Sequence, residues 1–383
     1  MKDMQGKEQA DVKNYTTIHI YPGPIYSPEE TLGAKYKALS SQCRGVYVST
    51  APVASEHLLG DFKVALIQST YQTRIKGLFR LLKRSISEFK ALKKNHGDVI
   101  IVCYDPLKTG LIGLLIKTLY GGKLIVENNG VYNSEDLLPE DSISDKAKKI
   151  IYPVIQQFVM NRADGIKTLF KAQLDQVKLK KDKIISNFSN YSDVSTKEFS
   201  EPENKTVLSI GFPLYRKGLD LLVEAFSKSK GVDLGWKLHL VGHLKEEETS
   251  RLKELASHSD WLEISKPVGF EQIPSLIDTC SIFVLASRSE AMGRVLVESM
   301  ARSKPRIGSN IEGIPSVINH GEDGLLFTNK DVTDLTNKLD ELIESPESRE
   351  RLARAAFKRF NTELAVEHYA NRVFSLYEKV SKK

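Results

Sequence analysis

The chain has 383 residues, of which 41% are hydrophobic and 27% charged, and its formal net charge is +6. This composition is typical of a folded globular protein and excludes a disordered or fibrous chain. The length predicts two domains rather than one. The modest positive charge favours anionic partners without naming one.

Cysteine content and hydropathy favour a cytoplasmic location. Cys43, Cys103 and Cys280 lie far apart, with neither metal-ligand spacing nor a disulfide framework, as in a reducing compartment. The first thirteen residues are polar and charged, so we expect no secretory signal. The longest apolar run, 111–120, is shorter than the roughly 18 to 20 residues that a membrane span needs. Peripheral association with the inner face of a membrane stays open.

In the first half of the chain, short apolar runs alternate with helical stretches, as in a parallel sheet covered on both faces. The predicted strands are residues 17–21, 46–49, 64–67, 99–103 and 124–127. Two long stretches, 74–94 and 146–161, have helical periodicity. The polar stretch 189–205 has no periodicity and is the predicted linker.

The same alternation restarts after this linker. The predicted strands are residues 207–210, 238–241, 282–286 and 325–327, and residues 362–380 are predicted to form one long helix. We therefore predict an α/β protein with two Rossmann-like domains facing a central cleft, residues 1–200 and 201–360. The final helix, 361–383, is expected to return to the first domain. Ligands of such folds bind at the C-terminal ends of the strands.

A stretch with two glutamates follows the strand predicted at 282–286. Glu290 is expected in the loop at the strand tip, and Glu298 about one and a half turns into a helix that starts near Gly293. The carboxylates could accept hydrogen bonds from sugar hydroxyls, and the N–H groups at the helix start suit an anion such as a diphosphate. These N–H groups belong to residues around Met292, Gly293 and Arg294. From spacing alone, a loop glutamate and a solvated helix glutamate explain the pattern equally well.

A second cluster opens the predicted second domain. Gly211 follows the strand at 207–210, and Arg216, Lys217 and Gly218 come soon after it. A glycine turn and a helix N-terminus with two cations suit a phosphate, because the helix end and Lys217 attract an anion in the same direction. An exposed Arg-Lys pair at a helix start is the alternative.

Together these stretches resemble the donor-binding signature of retaining glycosyltransferases of the GT-B type (glycosyl transferases group 1, family-4-like). The resemblance is sharp over residues 207–327, which include Lys304-Pro305 and the turn at 320–327, and weaker before them. It implies a GT-B fold whose second domain binds a nucleotide sugar. In that family two glutamates at this spacing contact the donor, so Glu290 is expected to contact the transferred sugar and Glu298 the ribose hydroxyls.

The resemblance also implies that Lys217 holds the donor diphosphate. The family usually has an arginine after the first glycine of this motif, where Phe212 stands here. Arg216 is the candidate to replace that arginine.

The first half carries fainter similarities to the same family. Residues 21–24 take the place of its glycine-rich loop, where Gly23 would approach the donor or serve as an ordinary turn residue. Many relatives have a histidine after the strand at 124–127. Here Asn129 stands nearest that position and is expected to position the sugar, since an amide cannot act as an acid or base. Three strand-tip residues are predicted either to shape an acceptor site or to cap loops: Asp105, Glu127 and Asn128.

The predicted helix 74–94 combines an apolar face with a basic one. Apolar residues recur at positions 75, 78, 79, 82, 86 and 89, and eight cations accompany a single acidic residue, Glu88. Such a helix either docks on an anionic membrane surface or covers the sheet with a solvated basic face. Both interpretations stay open.

The expected activity is retaining transfer of a hexose from a nucleotide sugar, UDP-linked rather than GDP-linked. The acceptor would be a hydroxyl of a glycan or a lipid-linked molecule, in surface polysaccharide or glycolipid biosynthesis. We expect no metal ion, no cofactor and no nucleic-acid partner, because the sequence contains no motif for them. Two alternatives are a sugar-nucleotide epimerase of the same architecture and a catalytically silent relative that binds a nucleotide or a partner protein.

Overall fold

The computed structural model describes residues 13–24, 28–70, 73–130, 143–175, 177–189 and 191–383. Contacts divide the chain into two compact units. The first consists of Met1–Glu127, Arg162–Gly165 and Val373–Lys383, and the second of Asn128–Asn161 and Ile166–Arg372. The final helix therefore contributes its end to the first unit, while the boundary expected at residue 200 stays a prediction.

The first sheet contains eight strands within the described residues. They are β1 (Tyr15–Ile20), β2 (Cys43–Ala51), β3 (Ser55–Leu59), β4 (Phe62–Gln68), β5 (Ile100–Cys103), β6 (Lys123–Asn128), β7 (Gly165–Thr168) and β8 (Ile184–Asn187). Their order is β3-β4-β2-β1-β5-β6-β7-β8. Strands β4, β2, β1, β5 and β6 pair in parallel, whereas β3 pairs antiparallel with β4. Strand β3 was not predicted, because most of its side chains are exposed and form no apolar run.

Helices follow the strands of this sheet. They are α1 (Pro28–Leu39), α2 (Arg74–His96), α3 (Lys108–Tyr120) and α4 (Ile143–Met160). Gly97 and Gly121, with φ of 82° and 80°, end α2 and α3, because glycine adopts positive φ without strain. No helix among the described residues is long and apolar enough to cross a lipid bilayer.

The apolar face predicted for residues 74–94 is buried in the C-terminal half of α2 but exposed at its start. Phe89 is fully buried, as expected, but Ile75 and Phe79 are exposed. The residues that pack inward near the start of the helix are instead Gly77 and Leu81. The helix therefore covers the sheet with its C-terminal half and presents apolar side chains to solvent at its beginning.

The second sheet contains six described strands, in the order β11-β10-β9-β12-β13-β14, all paired in parallel. They are β9 (Thr206–Ile210), β10 (Lys237–Val241), β11 (Leu262–Ser265), β12 (Ile282–Leu285), β13 (Arg306–Ser309) and β14 (Leu325–Phe327). The chain runs outward from β9 in one direction and from β12 in the other. The neighbouring ends of β9 and β12 therefore form a topological switch point, where α/β proteins bind ligands.

Helices cover both faces of this sheet. They are α5 (Leu214–Lys217), α6 (Leu219–Ser227), α7 (Glu246–Leu255), α8 (Ile273–Asp278), α9 (Arg294–Ala301), α10 (Val332–Glu344) and α11 (Pro346–Arg359). The last helix, α12 (Val366–Ser381), ends in the first unit. The helix predicted at 362–380 begins later, because a π-helical turn ends at Leu364 and Ala365 is extended with ψ of 154°.

The predicted linker, 189–205, has no regular secondary structure where it is described, but it packs against the second unit. The Lys197 amide donates to the Ala301 carbonyl at 2.9 Å, and Arg302 donates to the Ser195 carbonyl at 2.7 Å. Val194 is buried in the core of the second unit. These contacts anchor the segment on that unit.

Candidate donor site in the second unit

The loops after β9 and β12 leave the switch point side by side. Arg288, in the loop after β12, donates from its backbone to the Arg216 carbonyl at 2.8 Å. Its guanidinium forms two hydrogen bonds of 2.8 Å with the Asp220 carboxylate, a bidentate pair of high geometric specificity. Arg288 and Asp220, which sequence analysis did not select, therefore join the two predicted motifs.

Two glycines give Lys217 its position. The carbons of the Lys217 side chain lie across Gly211, where a Cβ would approach Lys217 Cε to 2.9 Å. Gly218 has φ of 61°, and a Cβ there would lie 2.0 Å from the Ala286 carbonyl oxygen. Position 218 thus requires glycine, and the φ of 149° at Gly211 favours glycine there. The prediction that a helix N-terminus carries both cations is wrong in detail, since Arg216 and Lys217 end the one-turn helix α5.

Lys217 Nζ contacts Glu290 Oε2, and both side chains are largely buried. The structure thus brings together one residue from each predicted motif. Arg216 precedes Lys217 on α5, and its buried Nε has no hydrogen-bond partner within the described part of the chain. The end of α5 therefore carries a lysine paired with a carboxylate and, next to it in sequence, a guanidinium with an unused donor.

Glu312, which was not among the predicted site residues, holds the loop that carries Glu290. Its carboxylate accepts from the Glu290 amide at 2.6 Å and from the Ser289 hydroxyl at 3.0 Å. Gly313 donates to the Glu290 carbonyl at 3.2 Å, and a Cβ on it would lie 1.8 Å from the Ala291 carbonyl oxygen. In the sequence, only the adjacent Glu-Gly pair after β13 could have indicated this role, and such a pair is also common in ordinary turns.

Helix α9 begins where the sequence predicted. Gly293 is its N-cap with φ of 76°, and the first helical residue is Arg294. The first backbone N–H groups of a helix have no intrahelical acceptor and favour anions. Met292 is buried in the core beside this turn, so its side chain fixes the helix start.

Glu298 lies one turn further along α9 and is only 3% exposed. Arg294 Nε lies 2.9 Å from Glu298 Oε1, and Arg294 Nη2 lies 3.2 Å from Asp193 Oδ1. Burial raises the pKa of Glu298 above the 4.5 of an ordinary glutamate, and Arg294 opposes that rise. Asp193, in the segment expected to be a linker, is a further member of this group.

The acidic turn at 320–327 has a structural role. Asp323 accepts from the fully buried Arg306 and from Arg359, each at 2.8 Å. Burial lowers the pKa of Arg306 to about 10. Its positive charge is compensated by the ion pair with Asp323. This part of the family motif therefore stabilises the second unit.

Candidate residues of the first unit and of the strand tips

Gly23 and Asp105 have clear structural roles in the first unit. A Cβ on Gly23, whose φ is 57°, would lie 2.2 Å from Thr50 Oγ1, so the turn packs directly on β2. The Asp105 carboxylate accepts from the amides of Leu107 and Lys108 at 2.8 and 2.7 Å. Of the two interpretations given for Asp105, these contacts support the capping one.

Glu127 is buried at the end of β6, and Glu127 Oε1 lies 3.9 Å from Lys35 Nζ. Lys35 also donates to the Tyr21 hydroxyl at 3.0 Å. His19 lies in the same interior, where burial and the charge of Lys35 lower its pKa to about 3. The carboxylate of Glu127 therefore belongs to a buried, internally paired cluster.

Asn128 and Asn129 follow Glu127 and belong to the second unit. Asn128 is buried, and its side-chain oxygen has no hydrogen-bond partner among described residues. The Asn129 oxygen accepts from Lys167 at 3.2 Å. Lys167 is a buried lysine near the rings of Phe188 and Tyr369, and sequence analysis gave no indication of it.

No group of three or more His, Cys, Asp or Glu side chains that could hold a metal ion occurs within the described ranges.

Comparison with known proteins places this geometry in a family. The family model "Glycosyl transferases group 1" matches residues 192–359. The chain is 30% identical to N-acetyl-alpha-D-glucosaminyl L-malate synthase of Bacillus anthracis over 76% of its length and 69% of that protein. It is 28% identical to a glycosyltransferase of Methanocaldococcus jannaschii over 79% of its length and 82% of that protein.

Solved structures share the fold. Sucrose-phosphate synthase of Thermosynechococcus elongatus superposes with a TM-score of 0.76 at 16% identity, over 96% of this chain and 99% of that one. HepE of Anabaena, solved with UDP-glucose, superposes with a TM-score of 0.70 at 14% identity, over 96% and 100%. Both are GT-B glycosyltransferases. The fold is therefore GT-B, with two parallel-sheet α/β domains, and the chain belongs to the group 1 glycosyltransferase family.

Proposed function

We propose that the protein is a retaining hexosyltransferase that takes its sugar from a UDP-linked donor and needs no metal ion or cofactor. The observation that carries the proposal is the contact between Lys217 and Glu290 at the switch point, beside the N-terminus of α9. Lys217 and the N-terminus of α9 suit a diphosphate, and the carboxylate of Glu290 suits sugar hydroxyls. The complexes of Anabaena HepE with UDP and UDP-glucose support a UDP donor.

Positive groups would stabilise the diphosphate as it leaves. Lys217, the unused Nε of Arg216 and the first N–H groups of α9 would surround it. Donors placed in advance where negative charge develops are worth most in a site that excludes water. These fixed donors would do the work that a metal ion does in other transferases.

Two carboxylates would recognise the rest of the donor. Glu290 would accept hydrogen bonds from the transferred sugar, and Glu298 from the ribose hydroxyls. The raised pKa of Glu298 is consistent with a desolvated carboxylate that gains partners when a nucleotide binds.

The acceptor hydroxyl would attack the anomeric carbon on the face from which the diphosphate departs. The new carbon–oxygen bond forms as the bond to the phosphate oxygen breaks, and the acceptor proton passes to that phosphate. Asn129, held by Lys167, would position the sugar. Glu127 is a poorer candidate for a base, because its buried carboxylate already faces Lys35.

The acceptor would be a glycan or a lipid-linked molecule used in surface polysaccharide or glycolipid synthesis. The exposed Ile75 and Phe79 at the start of α2, together with the lysines of this helix, support peripheral attachment to the inner face of a membrane. The three buried free cysteines fit a cytoplasmic protein.

Turnover of sugar nucleotides tests the proposal. Release of UDP from UDP-glucose and UDP-N-acetylglucosamine, and of GDP from GDP-mannose, is measured with and without EDTA. We expect UDP release that survives EDTA and an α-linked product by its anomeric proton coupling. Loss of activity in EDTA that Mg²⁺ or Mn²⁺ restores would refute metal independence, and a β-linked product from an α-linked donor would refute retention. Conversion of the donor without an acceptor would favour an epimerase, and binding without turnover a silent relative.

A further inference from the structure

The first unit contains a cavity of about 1320 Å³ beside its own topological switch point. The turn after β1 and the ends of β2 and β4 border it, and the starts of α2 and α3 close its sides. The residues that line it include Gly23, Thr50, Thr70, Ile75, Lys76 and Lys108. Its volume exceeds the roughly 300 to 1,000 Å³ of ordinary small-molecule pockets, so it suits a ligand larger than one sugar or a small organic acid.

The polar lining of the cavity favours an anion. Lys76 and Lys108 line it and are exposed, and neither forms an ion pair with a described residue. None of the described lining residues has a carboxylate, and several have hydroxyls. Two lysines without a nearby negative partner attract a phosphate.

The apolar lining favours a hydrocarbon chain. Ile75 is 75% exposed and Leu78 is 40% exposed, although both line the cavity. Phe79, 67% exposed, follows them on α2. Leu81 lines the cavity from the buried side of the same helix. A small polar acceptor would leave Ile75 and Leu78 in water, whereas a hydrocarbon chain would cover them.

We propose that this cavity binds the acceptor and that the acceptor is an anionic amphiphile, in which a phosphate group joins the acceptor sugar or alcohol to an alkyl or isoprenoid chain. The phosphate lies against Lys76 and Lys108. The chain lies on Ile75 and Leu78 and leaves the cavity along Phe79. This inference rests on the proposed function and names the class of acceptor that the first unit takes.

Calorimetric titration of the full chain with decyl phosphate, below its critical micelle concentration, tests the proposal. Inorganic phosphate provides the charge without the chain, and decyl maltoside provides the chain with a neutral head. We expect decyl phosphate to bind at least about tenfold more tightly than either. Equal binding of inorganic phosphate would mean a small anionic acceptor and would overturn the proposal, as would equal binding of decyl maltoside.

Variants locate the binding. Leu78→Ser and Lys76→Gln should each weaken decyl phosphate binding by about tenfold, because each removes one class of contact. The matched controls are Leu119→Ser on α3, an exposed leucine outside the lining, and Lys83→Gln on α2. Equal losses in the controls would overturn the location. UDP binding should be unchanged in all four variants. If the wild type binds UDP but not decyl phosphate, this inference alone is refuted. If the wild type does not bind UDP, the proposed function is refuted.

Discussion

Lys217 reaches Glu290 because its carbon chain crosses a glycine. The same lysine is followed by Gly218, which allows the loop to pack on the Ala286 carbonyl. A side chain at either glycine would move the ammonium group away from the carboxylate. At the scale of single residues, the proposed donor site thus depends on backbone positions that favour glycine.

Lys217→Ala should lower turnover at saturating nucleotide sugar by about a hundredfold. This is the typical effect of removing one fixed hydrogen-bond donor that stabilises negative charge in the transition state. A loss in kcat, rather than in donor affinity alone, distinguishes transition-state stabilisation from uniform binding. Steady-state kinetics of UDP release measures both. Lys253→Ala on α7 is the control for removing an exposed lysine, and an effect confined to KM would contradict the assignment.

Glu298→Gln should weaken UDP binding by about ten- to a hundredfold, since hydrogen bonds to a charged acceptor contribute roughly 1.5 to 3 kcal/mol. Glu298 accepts more strongly from the ribose hydroxyls when it is ionised, and burial raises its pKa. Wild-type affinity should therefore be complete above that pKa and fall as the pH drops through it, with a midpoint above 4.5. Calorimetry at several pH values should show that this fall in UDP affinity is absent in Glu298→Gln and present in Glu341→Gln, a control on α10. An unchanged pH profile in Glu298→Gln would refute the assignment.

Asn129→Ala should reduce turnover, whereas Asn129→Asp should add no new ionisation to the pH–rate profile, because the position orients the sugar without transferring a proton. The contact with Lys167 makes Lys167→Met a second test of the same orientation. An acidic limb in the profile that disappears in Glu127→Gln would instead identify Glu127 as a general base.

Helix α2 performs two tasks along its length. Its second half packs Phe89 and Leu92 into the first unit, and Glu88 forms ion pairs with Arg84 and Lys63. Its first turns expose apolar side chains beside cations. Periodicity alone could not separate these halves, because burial depends on which strands lie beneath each turn.

Vesicles that contain anionic lipid should bind the protein through the start of α2, and the binding should weaken as salt rises. Each lysine or arginine near such a surface contributes about 1 kcal/mol. Replacement of Lys76, Arg80 and Lys83 by glutamine should therefore abolish sedimentation with vesicles at low salt. Replacement of Lys228, Lys237 and Lys253 in the second unit is the control for net charge. Failure of the wild type to sediment at low salt would leave α2 only its packing role.

At the scale of the whole molecule, local patterns predicted most of the elements, and the loops that carry the candidate donor residues. Apolar runs located β4, β5, β9 and β14, and Gly293 marked the start of α9, because each signal lies within a few residues of the element. Contacts between distant parts of the chain were not predictable in this way. Glu312 holding Glu290, Asp193 facing Arg294, and Arg306 buried against Asp323 all join segments that only the folded sheet brings together.

Calorimetric titration of the full chain with UDP, in EDTA, tests the central claim most directly. We expect one site in the wild type, tighter binding of UDP than of GDP, markedly weaker UDP binding in Glu298→Ala and unchanged UDP binding in Glu341→Ala. Absence of binding by any of UDP, GDP and their sugar derivatives, or UDP binding unchanged in a folded Glu298→Ala variant, would contradict it.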